Sequence, residues 1–428
     1  MKILHIIPGS GGSFYCGNCL RDSKYVDALR KQQHDVVKIP MYLPLFSDEH
    51  DITDIPVFYG AVSIYLKQVF PLFRKAPAWF DKMLNSKPIL KLAAGFAGST
   101  RAKGLEEMTV SMLLGEQGQQ KEELERMIDW IAAHCQPDII HLSNALLLGL
   151  ARELKKRLDV PVLCSLQDED TWVDVMQPGA RKRVWKLMED RSEDVSSFIS
   201  VSTYYQGVMK ELMNIPGEKL TTVHLGVDPA DYKPVPAGEK PRKIGFISRM
   251  CYDNGLDILV DAFILLKKKP GFDDVSLVIT GGSTGDDARF IKGLKRKIRT
   301  AGLFHSVEFH DEFEGEGRQE FFRKVSLISV PVRNGEAFGI YLLEAMTSGI
   351  PVVQPELGAF PEIVTLTGGG LLYEPNHPSV LATTLARVLS DRELHADLSA
   401  RGIRGVAEHF DINTQAGKMI DIYRQYSK

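Results

Sequence analysis

Two carboxylates eight positions apart, Glu336 and Glu344, stand in the stretch Pro331-Val332-Arg333-Asn334-Gly335-Glu336-Ala337-Phe338-Gly339-Ile340-Tyr341-Leu342-Leu343-Glu344-Ala345-Met346. The stretch follows an apolar run at 327–330, and its spacing predicts a turn through Phe338-Gly339 with a helix starting there. The free backbone N–H groups at Phe338, Gly339 and Ile340, together with the positive end of the helix dipole, would suit a diphosphate. Glu344 falls five residues past Gly339, in about the second helical turn. Carboxylates placed in this way accept hydrogen bonds from hydroxyls and repel phosphate. The predicted chemistry is therefore recognition of hydroxyls next to a phosphate held by N–H groups, with one carboxylate for a sugar to be transferred and the other for a ribose. An ordinary helix-surface carboxylate is the alternative for Glu344.

Such a site needs a scaffold, and the chain alternates short apolar runs with longer amphipathic stretches. Strands are predicted at 2–7, 36–39, 139–142, 160–165, 198–201, 220–223, 243–247, 276–280, 307–309, 327–330 and 351–354. Turn residues follow each strand, and a helical pattern follows most of them. That alternation implies α/β architecture with parallel sheets covered on both faces. Residues 231–241 hold three prolines and a glycine without apolar periodicity, which reads as a linker before a second start at Lys243. Residues 60–134 read as helical, with the aromatics Phe70, Phe73, Trp79 and Phe80 interleaved with Lys67, Arg74, Lys75 and Lys82. This insertion fits a helical cover over an acceptor cleft, with a membrane surface or a lipid-linked acceptor as the alternative.

The 428 residues exceed what one core comfortably holds, so two domains are expected. A net charge of -3 gives no basic field for nucleic acid, and the cluster Lys292, Lys295, Arg296, Lys297, Arg299 reads as a solvated helix face. Five cysteines, an odd number over a long chain, suit a reducing cytosol. The apolar run Ile3 to Ile7 is too short for a signal peptide, and no stretch reaches the roughly 18 apolar residues of a membrane span. A cytoplasmic protein is expected, with the inner membrane face as a further place of contact. Cys16-Gly17-Asn18-Cys19 has no second ligand pair nearby, so packed cysteines are favoured over zinc or redox work.

Glu336 and Glu344 with seven residues between them resemble the E-x7-E motif of the retaining family 4 glycosyltransferases. The stretches Glu344-Ala345-Met346-Thr347-Ser348-Gly349-Ile350-Pro351-Val352-Val353, Gly358-Ala359-Phe360-Pro361-Glu362-Ile363-Val364 and Gly370-Leu371-Leu372-Tyr373-Glu374-Pro375 are similar to that family in the same order. Ile244-Gly245-Phe246-Ile247-Ser248-Arg249 resembles its strand ending in an arginine, so the resemblance implies that Arg249 meets the donor diphosphate. A lysine usually follows; Asn254 stands at that position here. Gly281-Gly282 fits the family's nucleotide-side turn, which makes Gly282 a donor contact. The Gly-rich turn Pro8-Gly9-Ser10-Gly11-Gly12-Ser13 implies contacts from Gly11 or Gly12 to the donor phosphates, and it lacks the spacing of a dinucleotide fingerprint.

On the acceptor side, Ile140-His141-Leu142-Ser143-Asn144 resembles the family's histidine-bearing strand end, and Gln167 occupies a position where many members carry a second histidine. Asp168, Glu169 and Asp170 could bind acceptor hydroxyls, with a solvated acidic loop as the alternative. Leu225-Gly226-Val227-Asp228 matches the family segment closing the first domain, and in the family a last helix, here about 410–426, returns to that domain.

The resemblance thus implies a GT-B fold, two Rossmann-like domains with parallel sheets facing across a cleft. The expected division is an acceptor-side domain at 1–235, a donor-binding domain at 236–409 and a returning helix at 410–428. The implied reaction moves a sugar from a UDP- or GDP-sugar to a hydroxyl of a glycan, lipid-linked or small-molecule acceptor, with retention and without metal or other cofactor. The rivals are a sugar-nucleotide epimerase or phosphorylase of the same fold, and a catalytically silent nucleotide- or carbohydrate-binding protein, for which Asn254 and Gln167 speak.

Overall fold

A computed structural model describes residues 1–8, 17–41, 58, 105–234 and 241–427, with the backbone alone at 17–20. The chain folds into two compact units. Of the described residues, the first unit holds 1–8, 18–41, 58, 105–224 and 415–427; the second holds 225–234 and 241–414, with Gly17.

Among the described residues, the first unit holds a six-stranded sheet: β1 (Lys2–Ile7), β2 (Asp35–Pro40), β3 (Ile139–Leu142), β4 (Val162–Leu166), β5 (Ser197–Ser200) and β6 (Leu220–Thr222). The strands run parallel in the order β2-β1-β3-β4-β5-β6. In β1, β3, β4 and β5 nearly every residue is buried, as expected of strands covered on both faces. The second unit repeats the plan with β7 (Lys243–Ile247), β8 (Ser276–Thr280), β9 (Val307–Phe309), β10 (Leu327–Ile328), β11 (Val352–Pro355) and β12 (Gly370–Tyr373), again parallel, in the order β12-β11-β10-β7-β8-β9.

Most strands fall where the apolar runs predict them, and the departures have physical reasons. β10 stops at Ile328, short of the predicted Val330, because the Val330 N–H donates to the Gln354 side chain (3.1 Å) and leaves the ladder. β12 was expected only as a motif segment. Its Gly370 lies so close to β11 that a Cβ would stand 2.4 Å from Val352 O, and a glycine-led strand carries little apolar signal. In the region read as helical, helices Glu106–Leu114 and Lys121–His134 are described; residues 59–104, with the aromatic and basic residues singled out there, lie outside the described residues. No described helix is long and apolar enough to cross a membrane.

In each sheet the chain winds outward in both directions from an internal pair, β1/β3 and β7/β10. Such a switch point leaves a crevice beyond the carboxyl ends of its strands, where doubly wound sheets bind ligands. In the second unit the backbones flanking it are pressed together. Gly255 has φ +70°, and a Cβ there would lie 1.8 Å from Pro331 O. Gly255→Ala should therefore destabilise the protein by more than about 2 kcal/mol, since left-handed strain and a backbone clash add. Thermal unfolding of the variant measures this.

Candidate functional site

Arg249 follows β7 and Glu336 follows β10, the two strands at the switch point of the second unit. Helix Ile340–Thr347 begins after Gly339, whose φ of +89° turns the chain into it; the sequence predicts this start. Glu336 is half-buried, and Tyr341 Oη donates to its Oε2 at 2.6 Å. Its backbone is pinned by the loop after β11. Ala359 N donates to Glu336 O (3.0 Å), and Gly358, at φ +61°, comes so close that a Cβ would meet Glu336 N at 2.4 Å. Phe338 and Ile340 are buried beside this turn.

Arg249 lies against the turn after β8. Its Nε donates to Asp287 Oδ2 (2.8 Å), and its Nη2 donates to Thr284 Oγ1 (2.7 Å) and Asp287 Oδ1 (3.2 Å). Asp287 is 2% exposed. Burial alone would push its carboxyl up, but hydrogen bonds from Arg249 and Thr284 hold it below the usual range. The Gly281-Gly282 turn permits this contact. A Cβ on Gly281 would stand 2.2 Å from Ser248 O, and Gly282 O accepts from Met250 N at 2.9 Å. Asn254, at the lysine position, donates from Nδ2 to Ser248 Oγ (2.8 Å) and Arg249 O (3.1 Å). It buttresses the Arg249 loop and brings no charge. Lys243 pairs with Glu308 at the amino end of its strand, and Lys324 pairs with Glu320, so neither stands in for the missing cation.

Glu344 is placed differently from its partner. Every residue of its helix is buried, and Glu344 itself is 0% exposed. Its Oε1 accepts from Tyr232 Oη (2.7 Å) and lies 3.4 Å from Arg318 Nε. The carboxylate therefore ties the segment entering the second unit to the helix that carries Arg318. This corrects the surface-carboxylate alternative: a second-turn residue on an all-buried helix faces the core.

One arginine that sequence spacing did not single out joins the two loops. Arg333 donates from Nε to Tyr252 O (3.0 Å) and from Nη2 to Asp257, and its guanidinium carbon lies 3.7 Å from the centre of the Tyr252 ring. No local pattern signals it, because its partners lie 76 and 81 residues away.

In the first unit the residues named for the acceptor are mostly committed to partners within the protein. His141 sits within β3, 1% exposed, with Nδ1 bonded to Tyr423 Oη and Nε2 to Ser165 Oγ (2.7 Å). Burial, then the neighbouring His5 and Arg21, push its pKa well below the usual value, so it stays neutral. Its ring lies 4.8 Å from that of His5, above the buried Arg21–Asp22 pair. Asp22 is pushed up by burial and pulled back, chiefly by Arg21, to about 2. His141 thus belongs to a buried polar network anchoring the last helix, not to a strand end open to an acceptor.

Glu169 is also turned inward. It is 1% exposed, and its oxygens accept from Ala145 N (2.8 Å), Gln167 N (2.7 Å) and Tyr205 Oη (2.8 Å). It thereby holds together the loops after β3 and β4 and the helix Thr203–Leu212. Asp168, half-buried, occupies the left-handed region at φ 53° and begins the short helix Glu169–Val173. Gln167 donates from Nε2 to Ser143 O (2.8 Å). Gln167 Oε1 and Ser143 Oγ are buried without a hydrogen-bond partner among the described residues; most buried polar groups have one. Gly11, Gly12 and Cys16 lie outside the described residues, as does the side chain of Cys19.

Burial lifts the Glu169 carboxyl to about 7, its hydrogen bonds offsetting part of the rise. A group whose folded pKa lies above its unfolded value of 4.5 holds an extra proton in the folded state between the two. Its contribution to stability is complete below about pH 4.5 and is lost as pH rises to about 7, by at most about 1.4 kcal/mol per pH unit. Glu169→Gln should flatten that segment of the stability–pH curve, as read by denaturant unfolding across pH 4.5 to 8.

Residues 228–404 match the family model described as "Glycosyl transferases group 1", and residues 113–231 match the one described as "Glycosyltransferase Family 4". Together the two matches run from residue 113 to residue 404. Among curated proteins, the chain is 30% identical over 203 residues to the lipopolysaccharide core biosynthesis mannosyltransferase LpsB of Rhizobium meliloti, covering 46% of this chain and 53% of that one. It is also 30% identical over 222 residues to a D-inositol 3-phosphate glycosyltransferase of Jonesia denitrificans, covering 49% and 52%. The chain spans about half the length of these relatives. In fold it is similar to a sucrose-phosphate synthase from Thermosynechococcus elongatus, with TM-score 0.71, 17% identity and 99% of both chains covered. It is likewise similar to HepE of Anabaena, solved in complex with UDP, with TM-score 0.68, 17% identity and 99% and 100% covered. The architecture is accordingly α/β of the GT-B class, with two Rossmann-like domains. The group 1 match contains Arg249, Asn254, Gly282, Glu336 and Glu344; the family 4 match contains His141, Gln167, Asp168 and Glu169.

Proposed function

We propose that this chain moves a sugar from a nucleoside-diphosphate sugar to a hydroxyl acceptor, retaining the anomeric configuration without a required metal. The observation that carries the reading is Glu336, half-buried beside the switch point and held by Tyr341, within the segment matched to the group 1 glycosyltransferases. Glu336 orients the sugar through its hydroxyls. The N–H groups around Gly339 and the guanidinium of Arg249 stabilise the departing diphosphate. That phosphate accepts the proton of the attacking hydroxyl on the same face, so no enzyme base is needed and neither His141 nor Glu169 is asked to serve as one. Glu344 keeps Tyr232 and Arg318 in place. In the loops after β3 and β4, Gln167 Oε1 and Ser143 Oγ have capacity left for an acceptor hydroxyl. The names of the relatives, a mannosyltransferase and a D-inositol 3-phosphate glycosyltransferase, support sugar transfer to a hydroxyl. The UDP-glucose complex of HepE supports a nucleotide-sugar donor.

Proton NMR of the product formed from an α-configured donor tests the stereochemistry. An α-linked product is expected, and a β-linked one overturns retention. A second reading, a silent binding protein, draws on one observation: Asp287 compensates the charge of Arg249, and Asn254 adds none. Calorimetry with UDP and GDP, followed by a donor-hydrolysis assay, separates the two, since binding without turnover of any donor favours the silent protein.

A further inference from the structure

At the switch point of the second unit, the Arg333 side chain bridges the loops after β7 and β10. Arg333 N donates to Asp253 O (3.0 Å), its Nε donates to Tyr252 O (3.0 Å), its Nη2 reaches Asp257, and its plane stacks on Tyr252. Each contact crosses from the loop after β10 to the loop after β7 or the helix that follows it. The same loop is held behind by Asn376 Nδ2, which donates to Val332 O at 2.8 Å. Core packing does not call for this arrangement: Tyr252 is 53% exposed. Its flanks do explain it. Arg249 and Asn254 lie on one loop, and Glu336 lies three residues beyond Arg333 on the other.

We propose that Arg333 is a positioning residue that sets the spacing between the groups meeting the donor's diphosphate and the carboxylate meeting its sugar. The proposal rests on the donor reading above. An arginine suits the task because its planar fork makes two directed bonds while its face stacks on a ring. A lysine could still pair with Asp257 but could neither fork nor stack in the same way. Displacing one loop from the other by an ångström would leave each half of the site intact and spoil their joint fit to the reacting donor, a loss of about a hundredfold in rate.

The test compares Arg333→Ala, Arg333→Lys and Asp257→Asn in the full chain, using calorimetry with UDP and GDP and turnover of whichever nucleotide sugar the wild type hydrolyses. For Arg333→Ala, kcat should fall by about 30- to 100-fold while nucleotide affinity stays within about threefold, with Arg333→Lys in between. Asp257→Asn keeps the stack and the bond to Tyr252 O; its kcat should fall about fivefold at unchanged KM, which carries the test if Arg333→Ala does not fold. An unchanged kcat in the variants overturns the proposal. So does a loss of nucleotide affinity equal to the loss of kcat, or Arg333→Lys behaving as wild type. A wild type that turns over no donor overturns the donor reading and this proposal together; an active wild type indifferent to Arg333 overturns this proposal alone.

Discussion

Glu336→Gln should lower the rate of sugar transfer by about two orders of magnitude, while affinity for the nucleoside diphosphate should change by no more than a few-fold. The exchange keeps shape and removes charge. A carboxylate accepting from two sugar hydroxyls makes charge-assisted bonds, and hydrogen bonds to charged groups contribute about 1.5–3 kcal/mol each. Part of that is lost with a neutral amide, whose NH2 end must also face a donor. Tyr341 Oη, 2.6 Å from Oε2, holds the side chain and should hold the amide oxygen equally well. The backbone clamp from Ala359 and Gly358 does not depend on the side chain, so folding should be little affected. Steady-state kinetics combined with calorimetry checks both halves of the expectation.

Arg249→Ala has two effects of different origin. Transfer should fall by about a thousandfold, the scale seen when a fixed donor is removed from a charge that grows in the transition state. Stability should fall as well, because Asp287 is 2% exposed and loses its counter-ion; removing one partner of a buried pair costs about 3–5 kcal/mol. The double variant Arg249→Ala with Asp287→Ala separates these effects. It should regain most of the lost stability, less the cap that Asp287 gives Thr284 N, and regain none of the activity. Recovery of transfer in the double variant would mean that Arg249 acts through Asp287 alone.

What could be read from sequence follows the range of the interactions. β1, β7 and β8 are legible because each is a short, mostly apolar run, and the helix start at Gly339 because a glycine precedes an apolar period. The site residues are legible as types and not as environments. His141 reads as a strand-end histidine until Tyr423, 282 residues away, takes its Nδ1. Glu344 reads as an accessible carboxylate until Tyr232, 112 residues away, takes its Oε1. Arg249 carries no sign of Asp287, 38 residues on, and Arg333 carries none of Tyr252. Charge compensation between distant residues leaves no period and no local spacing. Tyr341 was the nearest to being foreseeable: it stands five residues after Glu336, in the first turn of a helix whose start the sequence does predict.

The proposed function requires that the second unit hold a nucleotide-sugar donor around Glu336. Its most direct test is a screen of UDP- and GDP-sugars for release of the nucleoside diphosphate, run on the wild-type chain and on Glu336→Gln side by side. At least one donor should release its nucleotide with the wild type, and that release should drop about a hundredfold in the variant. Release from no donor, or release at the same rate from both proteins, would contradict the claim.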